Sequence, residues 1–144
     1  MKDIIQKKLD SYNFKTPDDE LNALKEITQE LALFGLNKAG FFREACFLGG
    51  TCLRIVHGLE RFSEDLDFST KVSNVDFNLD PFLQKTMDIM EPYGYHLSID
   101  QKDLTGKAVK SRFLKDDSIK KVLTFKHDQT LNQKIKIKVE IDTN

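Results

Sequence analysis

Two aspartates separated by one residue carry the strongest chemical signal in this chain. Asp65 and Asp67 lie in a segment, residues 64–70, that alternates polar and apolar side chains, which is typical of a strand. On a strand this spacing places both carboxylates on one face and directs Leu66 and Phe68 toward the core. Neighbouring carboxylates repel each other unless a cation lies between them, and oxygen ligands of this kind suit Mg²⁺. The pattern favours a metal site, and a solvent-exposed polar strand face is the alternative interpretation.

A third acid lies late in the chain. Glu140 belongs to a segment, residues 134–141, with strict alternation of apolar and charged side chains, which predicts a strand. If this strand neighbours the strand of the two aspartates, three acids converge, and such a set forms the protein part of a two-metal phosphoryl-transfer site. Asp142 shares the face of Glu140 and is the competing choice for the third acid.

A glycine pair precedes the two aspartates. The apolar segment 44–48 predicts a buried strand, and a helix is predicted over residues 51–57, directly after Gly49 and Gly50. Glycines let the backbone approach a bound anion, and the free N–H groups and the dipole of the helix N-terminus attract phosphate. With Thr51, the pair could cradle the phosphates of a nucleotide, although a plain strand–helix turn has the same sequence.

The remaining elements must position these residues. A short helix is predicted over residues 1–14, and Thr16 and Pro17 predict the start of a long amphipathic helix that ends near Gly35 or Gly40. The periodicity predicts another helix over residues 80–92 and further strands over residues 95–99, 108–114, 121–125 and 134–141. These elements make an α+β fold, in which N-terminal helices and a middle helix flank a mixed sheet of about four to six strands.

Composition narrows the functional classes. A chain of 144 residues suits a single domain, residues 1–144. The net charge of −1 excludes nucleic-acid binding through an overall positive charge, although it does not exclude a local basic surface. The apolar runs are far shorter than the ~20 residues of a membrane helix, and the charged N-terminus does not suit a signal peptide. We therefore expect a cytoplasmic protein with no membrane partner.

Two strings of the sequence together resemble a known family. Residues 49–54 (GGTCLR) and 61–68 (RFSEDLDF) are similar to the AbiEii/AbiGii toxin family of nucleotidyltransferases, in the polymerase-β-like superfamily. The family pattern is a glycine pair, then Asp-hydrophobic-Asp, then a late acid between hydrophobic residues. The resemblance covers residues 20–142 and implies a nucleotidyltransferase-like fold. Members usually continue into a helical region with further catalytic and acceptor-binding residues, so this chain is expected to be the N-terminal part of a longer architecture.

The resemblance also implies an activity. Such an enzyme uses Mg²⁺ to transfer a nucleotidyl group from a nucleoside triphosphate to a hydroxyl group. The acceptor is an RNA, for example a tRNA, or a protein. The setting is a type IV toxin–antitoxin or abortive infection system, with a cognate antitoxin protein as partner. The alternative is a catalytically incomplete domain that binds a nucleotide or the antitoxin.

The resemblance implies metal-binding and catalytic roles for Asp65, Asp67 and Glu140, and its glycine pair implies phosphate binding by Gly49, Gly50 and Thr51. Arg61 could neutralise phosphate charge or form a surface ion pair with a neighbouring glutamate.

Three lysines near the end of the chain could also bind an anionic ligand. Lys138 shares the face of Glu140 with Lys134 and Lys136, and these ammonium groups could offset triphosphate or RNA charge, or be merely solvated. Lys138 is the nucleotide-binding candidate among them. Most of the 11 phenylalanines lie in periodic apolar segments, which predicts a core role rather than a stacking platform for nucleobases.

Overall fold

The computed structural model describes residues 2–58 and 62–144. Within these residues the helices are α1 (Lys2–Asp10), α2 (Pro17–Lys38), α3 (Gly49–His57), α4 (Asp80–Met90) and α5 (Ile119–Val122). The strands are β1 (Ala45–Leu48), β2 (Asp65–Thr70), β3 (Leu97–Ile99), β4 (Val109–Asp116) and β5 (Ile135–Asp142). Short 3₁₀ turns follow α2 and α4, at Phe41–Arg43 and Glu91–Tyr93.

The five strands form one mixed sheet in the order β1-β2-β5-β4-β3. β2 and β5 run parallel, and the other neighbouring pairs run antiparallel. The predicted α+β fold with a mixed sheet of four to six strands is therefore confirmed. The central parallel pair brings together two strands that are far apart in the sequence, and both carry the predicted acids.

One face of this sheet is covered by helices. Leu66 and Phe68 of β2 and Val139 and Ile141 of β5 are buried in the core on this face, as the alternation predicted. Helices α2 and α4 pack closely together at Gly35. A Cβ atom on Gly35 would lie only 2.8 Å from Cγ2 of Thr86 in α4. The alternate side chains of the same strands point to the other face, which we call the open face.

Helix α2 begins where the sequence predicts. Thr16 accepts a hydrogen bond from the backbone N–H of Asp19 at 3.1 Å, and Pro17 occupies the first turn. The helix passes through Gly35 and ends at Lys38, directly before Gly40, which adopts a φ of 82°. Of the two predicted end points, Gly40 is therefore correct. None of the helices in the described part of the chain is long and apolar enough to cross a bilayer.

The predicted strand over residues 121–125 is wrong. The chain there forms the short helix α5, because the buried carboxylate of Asp116 accepts hydrogen bonds from the backbone N–H groups of Ser118 and Ile119 and so starts a helical turn. The following residues are held against the N-terminal helices by Glu20, which accepts from the backbone N–H groups of Lys126 and His127. Local hydrogen bonds and this anchor outweigh the alternating pattern.

Candidate active site

Two of the predicted acids stand directly opposite each other on the open face. In the parallel pairing of β2 with β5, Asp67 is the register partner of Glu140, and Asp65 is the partner of Lys138. Asp65 lies two residues before Asp67 on the same face, so the three predicted carboxylates share one patch of the sheet. Asp142 pairs with Ser69 one step further along, and it is exposed. The geometry thus groups Glu140 rather than Asp142 with the aspartates.

The electrostatics of Asp67 reflect this grouping. Partial burial, followed by the negative charges of Asp65 and Glu140, raises the pKa of Asp67 above its usual value. The ammonium group of Lys138 acts in the opposite direction. Asp67 is therefore a carboxylate whose ionised form is disfavoured by its neighbours, and a bound cation would relieve that repulsion.

Lys138 lies among these acids. Its Nζ atom is 3.4 Å from Oε1 of Glu140, and both side chains are about one-third exposed. Lys138 is also the register partner of Asp65 across the strand pair, and its charge acts on Asp67. This contact involves one of the two carboxylate oxygens of Glu140.

The glycine pair lies directly beneath Asp67. Gly49 has a φ of 84°, and a Cβ atom on it would lie 2.5 Å from Oδ2 of Asp67. Both the backbone conformation and the close approach of the carboxylate therefore require glycine at this position. Gly50 is crowded as well, since a Cβ atom there would lie 2.9 Å from Oγ of Ser63. The glycines thus fit the aspartate strand against the start of α3.

The N-terminus of α3 is open to an anion. The preceding residue, Leu48, has no side-chain group that caps the helix, so the backbone N–H groups of the first turn, at Gly50 and Thr51, lack a side-chain acceptor from that position. The buried hydroxyl of Thr51 donates instead to the backbone carbonyl of Asp65. Thr51 can therefore offer a phosphate its backbone N–H, while its side chain fixes the start of β2.

Gln29 of α2 fixes the same strand from the other side, and the sequence analysis missed it. Its buried Nε2 donates to the backbone carbonyls of Ser63 at 2.8 Å and Glu64 at 2.9 Å, directly before Asp65. A lone glutamine within an amphipathic helix has no pattern that would reveal this role. Gln29 and Thr51 together hold the backbone at which the acidic strand begins.

Of the two arginines that could assist phosphates, the structure describes Arg54. Arg54 of α3 forms an ion pair with Glu26 of α2, which also accepts a hydrogen bond from the hydroxyl of Tyr12 at 2.9 Å. Arg61, the predicted phosphate-binding residue, lies outside the described residues. Its expected role therefore stays a prediction.

The acids suit a magnesium ion by type and charge. Their oxygen atoms are the hard ligands that Mg²⁺ prefers, and the pKa of Asp67 is raised first by burial and then by the negative charges of Asp65 and Glu140. Within residues 2–58 and 62–144, however, no three His, Cys, Asp or Glu side chains already stand close enough together to hold a metal ion. The three carboxylates share one patch of the sheet, and their side chains must move closer together to hold a metal ion jointly.

Comparisons with known proteins agree with this geometry. A family described as "Nucleotidyl transferase AbiEii toxin, Type IV TA system" matches residues 31–144, which is more than half of the chain. The chain is also similar to a crystal structure of a "putative nucleotidyltransferase" from H. pylori, with 24% identity and a TM-score of 0.53. The match covers 81% of this chain and 44% of that structure, so the chain spans less than half the length of this neighbour. A search of curated proteins found no match.

The structural likeness supports the nucleotidyltransferase fold, and the family match covers the glycine pair, the two aspartates and Glu140. The chain therefore belongs to the AbiEii family of nucleotidyltransferase toxins of type IV toxin–antitoxin systems.

Proposed function

We propose that this chain carries the catalytic centre of a Mg²⁺-dependent nucleotidyltransferase toxin, which transfers a nucleotidyl group from a nucleoside triphosphate to a hydroxyl of an RNA, tRNA included, or of a protein. One observation supports this proposal most strongly: Asp67 lies opposite Glu140 in the register and directly above Gly49, at the open start of α3. Carboxylates suited to a metal ion and a helix start suited to a phosphate are thus adjacent, which supports nucleotide transfer.

Asp65, Asp67 and Glu140 would hold the metal ions, which when bound polarise the phosphate and lower the pKa of the acceptor hydroxyl. The backbone N–H groups of Gly50 and Thr51 bind oxygens of the β- and γ-phosphates. The acceptor hydroxyl loses its proton to solvent water as its oxygen forms a bond to the α-phosphorus. The bond from the α-phosphorus to the bridging oxygen breaks, and pyrophosphate leaves.

Lys138 and Glu140 change partners in this proposal. When the nucleotide arrives, the ammonium group of Lys138 turns from Glu140 to the phosphates, where it offsets their charge. Glu140 is then free to hold the metal and orient the acceptor hydroxyl. In the family setting, a cognate antitoxin protein restrains the activity.

The alternative is a domain that binds a nucleotide or the antitoxin but does not catalyse transfer. Two observations favour it: Glu140 is engaged by Lys138, and the match covers only 44% of the H. pylori structure. Residues for acceptor binding that lie in the unmatched part of such a structure would be supplied by a longer protein.

The test is incubation with each of the four nucleoside triphosphates, labelled at the α-phosphate, together with Mg²⁺ and total RNA and protein. We expect label in RNA or protein from one of them, lost in Asp67→Asn and retained in Asp142→Asn, which removes a carboxylate from the same face without touching the acidic group. Label that is transferred only from the γ-phosphate would identify phosphoryl transfer instead. Nucleotide binding without any transfer would favour the binding domain, and transfer unaffected by Asp67→Asn would contradict the proposed site.

A further inference from the structure

A cavity of about 360 Å³ lies between α2, α5 and the start of β5. Its positive charges come from three separate parts of the chain, namely Lys25 of α2, Lys120 of α5, and Lys134 and Lys136 at the start of β5. One polar and two apolar side chains complete the wall: Gln133, Leu21 and Ile135. Among the described residues, no acidic side chain lines this space, which we call the lysine cavity.

Carboxylates do not neutralise the lysines of this cavity. None of the ion pairs within residues 2–58 and 62–144 involves any of them. The charge of Lys134 acts on Asp117, but a hydrogen bond with His96, at 3.0 Å, is the main cause of the lowered pKa of Asp117. The lysine cavity therefore holds a positive charge that the described residues do not balance.

Lys120 makes this charge costly for the fold. Only 4% of its surface is exposed, and its Nζ donates to the backbone carbonyl of Thr130 at 3.2 Å. Burial, and then the charge of Lys25, lowers the pKa of Lys120, because both disfavour the protonated form. An ammonium group has three N–H donors, so this hydrogen bond leaves two of them for a ligand. Because buried charges in proteins are paired, a cation in this position favours a bound anion beside it.

The residue types of the wall indicate which anion. Lysine binds phosphate as a point charge, whereas the planar carboxylate is matched by the forked guanidinium of arginine. Within the described residues, the wall contains neither an arginine nor an aromatic ring on which a nucleobase could stack. Four ammonium groups suit an anion with several charges, and the space is many times the ~30 Å³ that one water occupies. These features favour a small anion with at least two phosphate groups over a carboxylate or a nucleotide.

We propose that the lysine cavity is a binding site for a small polyphosphate anion of the pyrophosphate class. None of the residues assigned above to metal or nucleotide binding lines it, so the site is separate from the proposed nucleotide site. The anion contacts ammonium groups of α2, α5 and the start of β5 at once. Because it binds the folded arrangement of these three elements, it stabilises the folded chain. The inference goes beyond the proposed function and does not depend on catalysis.

Calorimetric titration with inorganic pyrophosphate in the presence of EDTA tests the proposal. Without a metal ion, the acids of the open face repel the anion, so binding reports on the lysine cavity. We expect one pyrophosphate per chain, an affinity that falls as salt is added, and a rise in Tm of about 5–10 °C at a hundredfold excess over Kd. Citrate, an anion of several carboxylates, should bind at least about tenfold more weakly. No binding of pyrophosphate, or equal binding of citrate, would overturn the proposal.

Variants of α5 separate binding from a purely structural role of Lys120. Lys120→Met keeps an unbranched side chain but removes the ammonium group, and it should weaken pyrophosphate binding at least about tenfold. Lys121→Met removes the next lysine, which is exposed and lies outside the cavity, and this matched control should bind normally. In the absence of pyrophosphate, Lys120→Met should melt no lower than the unmodified chain, because it removes a buried cation. A lower Tm with unchanged pyrophosphate affinity would limit Lys120 to holding Thr130 and would overturn the proposal.

A second variant tests the cavity without altering the hydrogen bond to Thr130. Lys25→Gln removes a half-buried charge of the wall on α2 and should also weaken pyrophosphate binding about tenfold. Lys85→Gln, an exposed position on α4, is its control and should have no effect. Equal affinities of these two variants would contradict the assignment of the anion to the lysine cavity.

Competition distinguishes the possible sources of the phosphate groups. In EDTA, a nucleoside triphosphate should bind no more tightly than inorganic tripolyphosphate, since the wall offers no ring to the base. Displacement of pyrophosphate by a single-stranded RNA of higher affinity, lost in Lys25→Gln, would identify RNA as the ligand and overturn the assignment to a small anion. Triphosphate binding with Mg²⁺ that depends on Asp67 is measured separately. Its absence would contradict the proposed function and leave the lysine cavity unaffected.

Discussion

The two faces of the central strands treat charged residues in opposite ways. On the helix-covered face, Arg112 of β4 is buried and fully paired: it contacts both carboxylate oxygens of Asp80, at 2.8 and 3.0 Å, and a carboxylate oxygen of Asp100 at 3.2 Å. On the open face, Asp67 lies beside two other acids, and Lys115 lies opposite Lys136. Arg112 on the first face is thus compensated by two carboxylates, whereas Asp67 on the second face lies among like charges that Lys138 offsets only in part.

The same difference between the two faces is visible in the pKa values of their acids. Although burial alone would raise it, hydrogen bonds from the backbone N–H of Phe113 and from Arg112 lower the pKa of Asp100. The pKa of Asp67 moves in the opposite direction. A raised pKa on an acid means that the ionised form is less favourable in the folded chain than in the unfolded chain. The two faces should therefore respond differently to the loss of a charge.

The largest effect is expected on the covered face. Arg112→Met should lower the free energy of unfolding by about 3–5 kcal/mol, because it leaves the carboxylates of Asp80 and Asp100 without their cation. Lys115→Met, three residues later on the same strand but on the open face, is the matched control and should not destabilise the chain. Urea unfolding measures both. Equal losses would mean that the two faces do not differ as described.

A smaller effect is expected at the glycine beneath the acid. Gly49→Ala imposes a side chain at a φ of 84°, which costs about 1–3 kcal/mol, and the new Cβ atom would also displace the carboxylate of Asp67. Gly106→Ala is the control, since Gly106 has a similar φ of 76° but open space around it. Both variants should lose stability in thermal unfolding, but only Gly49→Ala should also lose nucleotide binding. Normal nucleotide binding by Gly49→Ala would contradict the close fit of Gly49 and Asp67.

The hydrogen bonds from Gln29 to the start of β2 should contribute a comparable or smaller amount to stability. Gln29→Leu removes the donor to the carbonyls of Ser63 and Glu64 and should cost about 1–3 kcal/mol in urea unfolding. Because these carbonyls directly precede Asp65, metal affinity should fall as well. Leu31→Ala, a partly buried position on the same helix, serves as the control that lowers stability without touching the strand. Unchanged metal affinity in Gln29→Leu would limit its role to stability.

The smallest change concerns the pH dependence of Asp67. The folded chain binds the proton of Asp67 more tightly than the unfolded chain does. The contribution of Asp67 to the free energy of unfolding therefore falls as the pH rises above 3.8, the usual pKa of the group, and through the raised pKa. Asp67→Asn removes this loss. Without metal, the variant should therefore gain stability relative to the unmodified chain between acid and neutral pH, as urea unfolding at several pH values can show. A difference that stays constant with pH would mean that the pKa of Asp67 is not raised.

Sequence periodicity predicted the parts of the site that depend on alternation. The spacing of Asp65, Asp67 and Glu140 placed them on the face opposite Leu66 and Val139, and the structure pairs their strands directly. The roles assigned to these acids stay predictions. The contacts of Gln29 and Arg112 depend on which helix and strand meet in three dimensions, and neither residue belongs to a repeating local pattern.

Two expectations show where local patterns are insufficient. Residues 121–125 alternate like a strand, yet hydrogen bonds to Asp116 and Glu20 determine their path. Phe113 has a large apolar side chain, which is typical of a core residue. The register of β4 against β5 places it on the open face, opposite Lys138. At residues 121–125 local hydrogen bonds and a distant anchor act together, whereas at Phe113 the pairing of two strands decides the outcome.

The most direct test of the account is metal binding at the open face. Titration with Mn²⁺ in the presence of a non-hydrolysable nucleoside triphosphate, followed by electron paramagnetic resonance of the free ion, measures it. We expect that the chain binds Mn²⁺, that Asp67→Asn loses this binding, and that Asp142→Asn retains it. Equal binding by Asp67→Asn and the unmodified chain, or no binding by any of the three, would contradict the assignment of the metal site to Asp65, Asp67 and Glu140.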